Sequence, residues 1–100
     1  MSRRLVFHPY AQIELAEAIG WYEDRRVGLG AELLTAAEAA FTAVVEAPHT
    51  WPLVRAGKEQ RRYLLKRFPY LVVYVFNHSE VRIIAFAHAK REPDYWSDQG

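Results

Sequence analysis

The sequence predicts an α+β domain of order β-α-α-β-β-β, a helical hairpin packed on one face of a mostly antiparallel four-stranded sheet. Three observations carry this. A short apolar run, RLVFH at 4–8, stops at Pro9; two stretches of helical period follow, divided by glycines; and residues 61–90 hold three runs rich in β-branched and aromatic side chains. One hundred residues, 51% of them hydrophobic and 25% charged, fit a single domain over 1–100. A chain of that length buries roughly two thirds of its unfolded surface.

Pro9 suits the first position of a helix, where its missing N–H has no partner to lose. From Tyr10 to Arg26, Ala11, Leu15, Ala18, Ile19 and Tyr22 fall on one side, with Glu14, Glu17 and Asp24 opposite. Ile13 and Trp21 break the division by projecting toward the acidic side, so each either meets a partner or lies under a loop or terminus. In VGLGAE (27–32), Gly28 suits the left-handed residue that ends a helix and Gly30 a tight start to the next. The second helix, Ala31 to Ala47, sets Leu33, Leu34, Ala37, Phe41, Val44 and Val45 against Glu32, Thr35, Glu38, Thr42 and Glu46, and Pro48 stops it.

Residues 48–60 lack periodicity and form a loop from helix to sheet. RRYLLKRF (61–68), YLVVYVFNH (70–78) and EVRIIAFAHAK (80–90) then make a meander, broken by Pro69 and by a polar turn at Asn77 to Glu80. Alternation along the last strand divides Val81, Ile83, Ala85 and Ala87 from Arg82, Ile84, Phe86 and His88. The small Ala85 and Ala87 suit close helix packing, which assigns their face to the core. Ile84, Phe86 and His88 then occupy an open face that invites a partner.

Charge is unevenly spread. Residues 1–50 hold 4 basic and 7 acidic side chains and residues 51–100 hold 9 and 5, a balance of −3 against +4. The second half therefore offers a cationic surface to a polyanion or an acidic protein, at lower density than a dedicated nucleic-acid binder. Zero cysteines exclude disulfides and thiolate metal sites, and the four histidines lack ligand spacing, so neither a metal nor another cofactor is expected. No apolar run reaches the roughly 20 residues needed to span a bilayer, and the N-terminus lacks a signal-peptide apolar region. A cytoplasmic protein without a membrane role is the expectation.

The element order, together with WYED (21–24) before GLG (28–30), EAPHTWP (46–52), RRYLLKRFPYLVVYVF (61–76) and AFAHAKREPDYW (85–96), resembles the RelE/ParE superfamily. These are the toxins of bacterial type II toxin–antitoxin, or plasmid stabilisation, modules. The resemblance spans nearly the whole chain. It implies a compact growth inhibitor neutralised by a cognate antitoxin whose arm wraps the toxin, giving a toxin–antitoxin hetero-oligomer. Trp21, Ile84 and Phe86 are the candidate antitoxin contacts.

Members divide by target, and the fold does not choose between them. RelE-like toxins cut messenger RNA on the ribosome, whereas ParE-like toxins inhibit DNA gyrase without cutting RNA. Cleavage through the 2′-hydroxyl needs a base, an acid and cations for the phosphate charge. By resemblance His88, Arg91 and Tyr95 are the candidates for those roles, although Tyr95 lies closer to Arg91 than its RelE counterpart and Pro93 stiffens the gap. Arg61, Arg62, Lys66, Arg67 and Lys90, with Trp96, form the candidate target-binding set. For Arg61 and Arg62 a solvated edge strand explains the charges equally well. Whether the protein is an enzyme stays open at this level. Gyrase inhibition is favoured because binding asks only for a shaped surface, with messenger cleavage second and a family fold without toxicity third.

Overall fold

Arg4–Phe7 forms the first strand, β1, in a computed structural model that describes residues 3–55, 57 and 59–90. Pro9 begins helix α1 (Pro9–Arg25), and the His8 side chain caps it, its Nδ1 accepting from the Tyr10 N–H at 3.1 Å. Helix α2 (Leu29–Glu46) follows after three residues, then β2 (Arg61–Leu64), β3 (Tyr70–Phe76) and β4 (Glu80–His88). The strands are shorter than the apolar runs that announce them.

The sheet runs β1-β4-β3-β2. β2–β3 and β3–β4 are antiparallel, while β1 lies parallel to β4, so the sheet is mixed. A parallel neighbour needs a crossover, which the helical hairpin supplies. The β3–β4 turn is tightened by the Asn77 side chain, whose Oδ1 accepts from the N–H groups of Ser79 and Glu80.

The two helices lie on one sheet face. Ala11, Ala18, Leu33, Ala37, Ala40, Phe41 and Val44 meet Val72, Tyr74, Val81, Ile83 and Phe86 there. Phe41 sits edge-on to Phe7 with ring centroids 5.1 Å apart. Tyr74 is buried and donates to the Pro48 carbonyl at 2.7 Å, which pins the start of the crossing loop; burial pushes its hydroxyl pKa up to about 12. Leu34, expected in the α2 stripe, is 38% exposed. It lies at the edge of that stripe, beside an apolar groove shared with Leu5, Phe7 and Val45.

Gly28 is left-handed, with φ 93°, but as the N-cap of α2; α1 ends instead at Arg26, whose backbone is extended. Gly30 differs from its expected role. It is the second residue of α2, and a Cβ there would lie 2.9 Å from the Ile19 carbonyl oxygen, so the glycine serves close approach of the helices. Glu23, in the WYED stretch, reaches across the hairpin. Its carboxylate accepts from the N–H groups of Gly28 and Gly30, at 3.0 and 2.9 Å, and these bonds hold its pKa below the ordinary carboxylate value.

The face assignment of β4 is corrected by a bulge. Val73 opposes Ala85 while Tyr74 opposes Ile83, which leaves Ile84 as an extra residue. One inserted residue restarts the alternation with the opposite phase. Val81, Ile83 and Phe86 therefore face the helices, and Ile84, Ala85 and Ala87 pack on the far side with Val73, Val54, Leu71 and Val75. Ala85 and Ala87 do not face the hairpin. Ile84 does lie on the far face, yet it is fully buried rather than open.

Candidate groove between helix α1 and strand β4

Beyond Ile83, β4 has no β1 residue beside it, because β1 ends at Phe7. Helix α1 crosses that uncovered edge. Positions 14, 17, 18, 21 and 22 follow one another at three- and four-residue steps, so they share the side of the helix that looks along β4. Glu14 and Glu17, expected to face water alone, are part of this row. Glu14 is half-buried, and its carboxylate accepts from the Phe86 N–H at 2.9 Å, which satisfies a donor that the sheet leaves without a strand partner.

The result is a groove of about 380 Å³ lined by Glu14, Glu17, Ala18, Trp21, Tyr22, Tyr70, Phe86 and His88. Its floor is aromatic. Phe86 stacks on Tyr70 at 4.9 Å with rings 15° apart, Tyr22 meets Tyr70 edge-on at 6.2 Å, and the His88 ring lies 5.3 Å from Tyr70. Trp21 forms part of the rim, 49% exposed, with the Arg25 guanidinium 3.4 Å from its ring centroid. Burial, and then the neighbouring Tyr22, raise the Tyr70 pKa above the usual phenol value, so the hydroxyl stays protonated at neutral pH and can only exchange hydrogen bonds.

His88 accepts from the Lys90 N–H through Nδ1 at 3.1 Å, which assigns the ring proton of the neutral form to Nε2. Two carboxylates accompany His88, and no lysine or arginine lines the groove among the described residues.

Of the candidate antitoxin contacts, Trp21 and Phe86 come together here, and Ile84 lies behind the sheet. Of the candidate catalytic set only His88 is described; Arg91 and Tyr95, like Trp96, lie outside the described residues. The basic candidates are spread out. Arg61 pairs with Tyr74 and Arg62 with Val73, on opposite sheet faces, while His88 pairs with Tyr70 four positions away along β3. That is a separation of roughly 13 Å along the strand.

Arg61 holds the crossing loop, donating to the Trp51 and His49 carbonyls at 2.7 and 3.2 Å, and Arg62 donates to the Leu53 carbonyl at 3.3 Å. Arg67 pairs with Glu32 at 2.8 Å, and that contact is the main reason the Glu32 pKa falls below the ordinary value. Lys66 shares a shallow hollow with Arg62, Trp51 and Leu64, and Lys90 is exposed just past β4. Sequence reasoning missed Glu14, Glu17, Tyr22 and Tyr70 as groove residues. The pair Glu14 and Glu17 beside an out-of-place Trp21 was the available signal.

The comparisons with known proteins agree with this architecture. The family model described as the ParE toxin of the type II toxin–antitoxin system parDE matches residues 5–93, and the chain belongs to that family. Among solved structures it is similar to a chain of the chromosomal ParDE toxin–antitoxin system from P. aeruginosa, with a TM-score of 0.64 and 14% sequence identity over 88% of this chain and 97% of that one. No curated protein matches it. The protein is thus a ParE-like toxin, and a family defined as the toxin of such a system has an antitoxin protein as its partner. Among the described residues no helix is long and apolar enough to cross a membrane.

Proposed function

We propose that the protein arrests growth by binding DNA gyrase, and that its antitoxin neutralises it by laying an arm in the α1–β4 groove over Trp21 and Phe86, forming a toxin–antitoxin hetero-oligomer. The observation that carries this is the chemistry of the groove. Two carboxylates, an aromatic floor and no described cation repel a phosphodiester and suit a polypeptide. A messenger-cleaving site needs cations on the scissile phosphate, and the described arginines of β2 are engaged with the crossing loop.

The test is gyrase supercoiling and cleavage-complex accumulation with purified protein, alongside messenger cleavage in a translating extract. Trapped gyrase complexes with intact messenger are expected. Messenger cleavage that vanishes on His88→Ala would replace this reading with the RelE-like one, and inactivity in both assays would remove toxicity itself.

A further inference from the structure

The groove has a more particular occupant written into its side chains. Its volume of about 380 Å³ is near the low end of the roughly 300–1,000 Å³ range of ligand pockets, enough for one large side chain rather than a helix. Among the described residues its lining is negative. Glu14 is committed to the Phe86 N–H, but Glu17, one helical turn before Trp21, is exposed and makes no ion pair among the described residues. Among the described residues no lysine or arginine lines the groove, and Arg25 lies against the Trp21 ring at its rim. The Trp21 and Tyr70 rings line the same groove as Glu17. That the Trp21 ring accepts a guanidinium is visible in the fold itself, where Arg25 lies 3.4 Å from its centroid.

We infer that this groove seats an arginine side chain of the partner protein, its guanidinium paired with Glu17 and laid against the Trp21 and Tyr70 rings. The inference rests on the proposal that the groove is the antitoxin's seat, and adds the chemistry by which it is read. Arginine fits better than lysine because its planar cation is more weakly hydrated, stacks on aromatic rings and meets a carboxylate with two parallel N–H donors. An apolar anchor would leave Glu17 desolvated without compensation.

Two measurements test the seat and its arginine separately. The first follows the Trp21 indole N–H resonance of the purified protein during titration with N-acetyl-arginine amide, N-acetyl-lysine amide and N-acetyl-citrulline amide, the last having arginine's shape without its charge. Arginine amide should bind at millimolar concentration and about fivefold more tightly than citrulline amide, a preference that Glu17→Gln abolishes. Equal response to citrulline or lysine, or a preference indifferent to Glu17→Gln, overturns the inference. The second measures antitoxin affinity of Trp21→Ala and Glu17→Gln proteins whose circular dichroism matches the wild type. Loss in both supports the seat and its arginine. Full affinity of Trp21→Ala overturns the seat and the inference with it; loss in Trp21→Ala with full affinity in Glu17→Gln overturns the arginine alone.

Discussion

The Glu14 carboxylate, from the second turn of α1, accepts the backbone N–H of Phe86, 72 positions further along the chain, at 2.9 Å. This bond joins helix to strand immediately after the β4 bulge, and it helps hold Phe86 with its ring toward the groove. Truncation to alanine leaves a part-buried donor without its acceptor. Glu14→Ala should therefore cost about 1.5–3 kcal/mol, and Glu14→Gln, which keeps an acceptor oxygen, should cost less. Urea unfolding of both variants checks the order, and faster hydrogen exchange at the Phe86 amide in Glu14→Ala checks the location.

Gly30 sets how closely the helices approach. Alanine improves intrinsic helix propensity by about 1 kcal/mol, yet its Cβ would meet the Ile19 backbone oxygen at 2.9 Å, and backbone cannot swing aside as a side-chain end can. Overpacking of that kind costs typically about 1–3 kcal/mol. Gly30→Ala should lower the thermal midpoint despite its better propensity, and a raised midpoint would show that the hairpin yields easily.

Glu23 ties the end of α1 to the start of α2, and its two backbone hydrogen bonds depress its pKa. The unfolded chain then binds the proton more readily than the folded one, so the stabilisation is complete above the ordinary pKa and is lost as pH falls through the lower folded value. Wild type should melt above Glu23→Gln at pH 7, and the gap should close as pH falls below the ordinary carboxylate range. A gap independent of pH would mean that the carboxylate charge has no part in the cap.

Phe41 tests the core. It is 6% exposed and packed edge-on against Phe7, so Phe41→Ala should cost about 3–5 kcal/mol in denaturant unfolding. A loss below about 1 kcal/mol would mean that β1 and α2 close around the space.

The element order and the buried stripe through Leu33, Ala37, Phe41 and Val44 were legible because a helical period survives small errors of boundary. The face of β4 was not. A period of two flips completely with one inserted residue, and nothing in VRIIAFAH marks Ile84 as that residue. Phe86 and His88 consequently face α1 instead of an open surface. Trp21 was legible as an anomaly, since an indole among acidic residues conflicts with a wet helix face; its groove was not, because Tyr70 and Phe86 reach it from strands 49 and 65 residues later in the chain. Arg61 and Arg62 showed their charge in the sequence but not their occupation by the carbonyls of residues 49, 51 and 53.

The parallel pairing of β1 with β4 places the first described strand beside the last. Arg4 meets Glu80 across 76 positions of chain. At about 5–20 residues per second, roughly 4–15 s of synthesis separate the two. The helical hairpin can form meanwhile from local contacts, but the groove needs Phe86 and His88 and the sheet needs β4, so both are late products of translation. A nascent chain therefore has neither the groove nor the complete sheet until β4 docks.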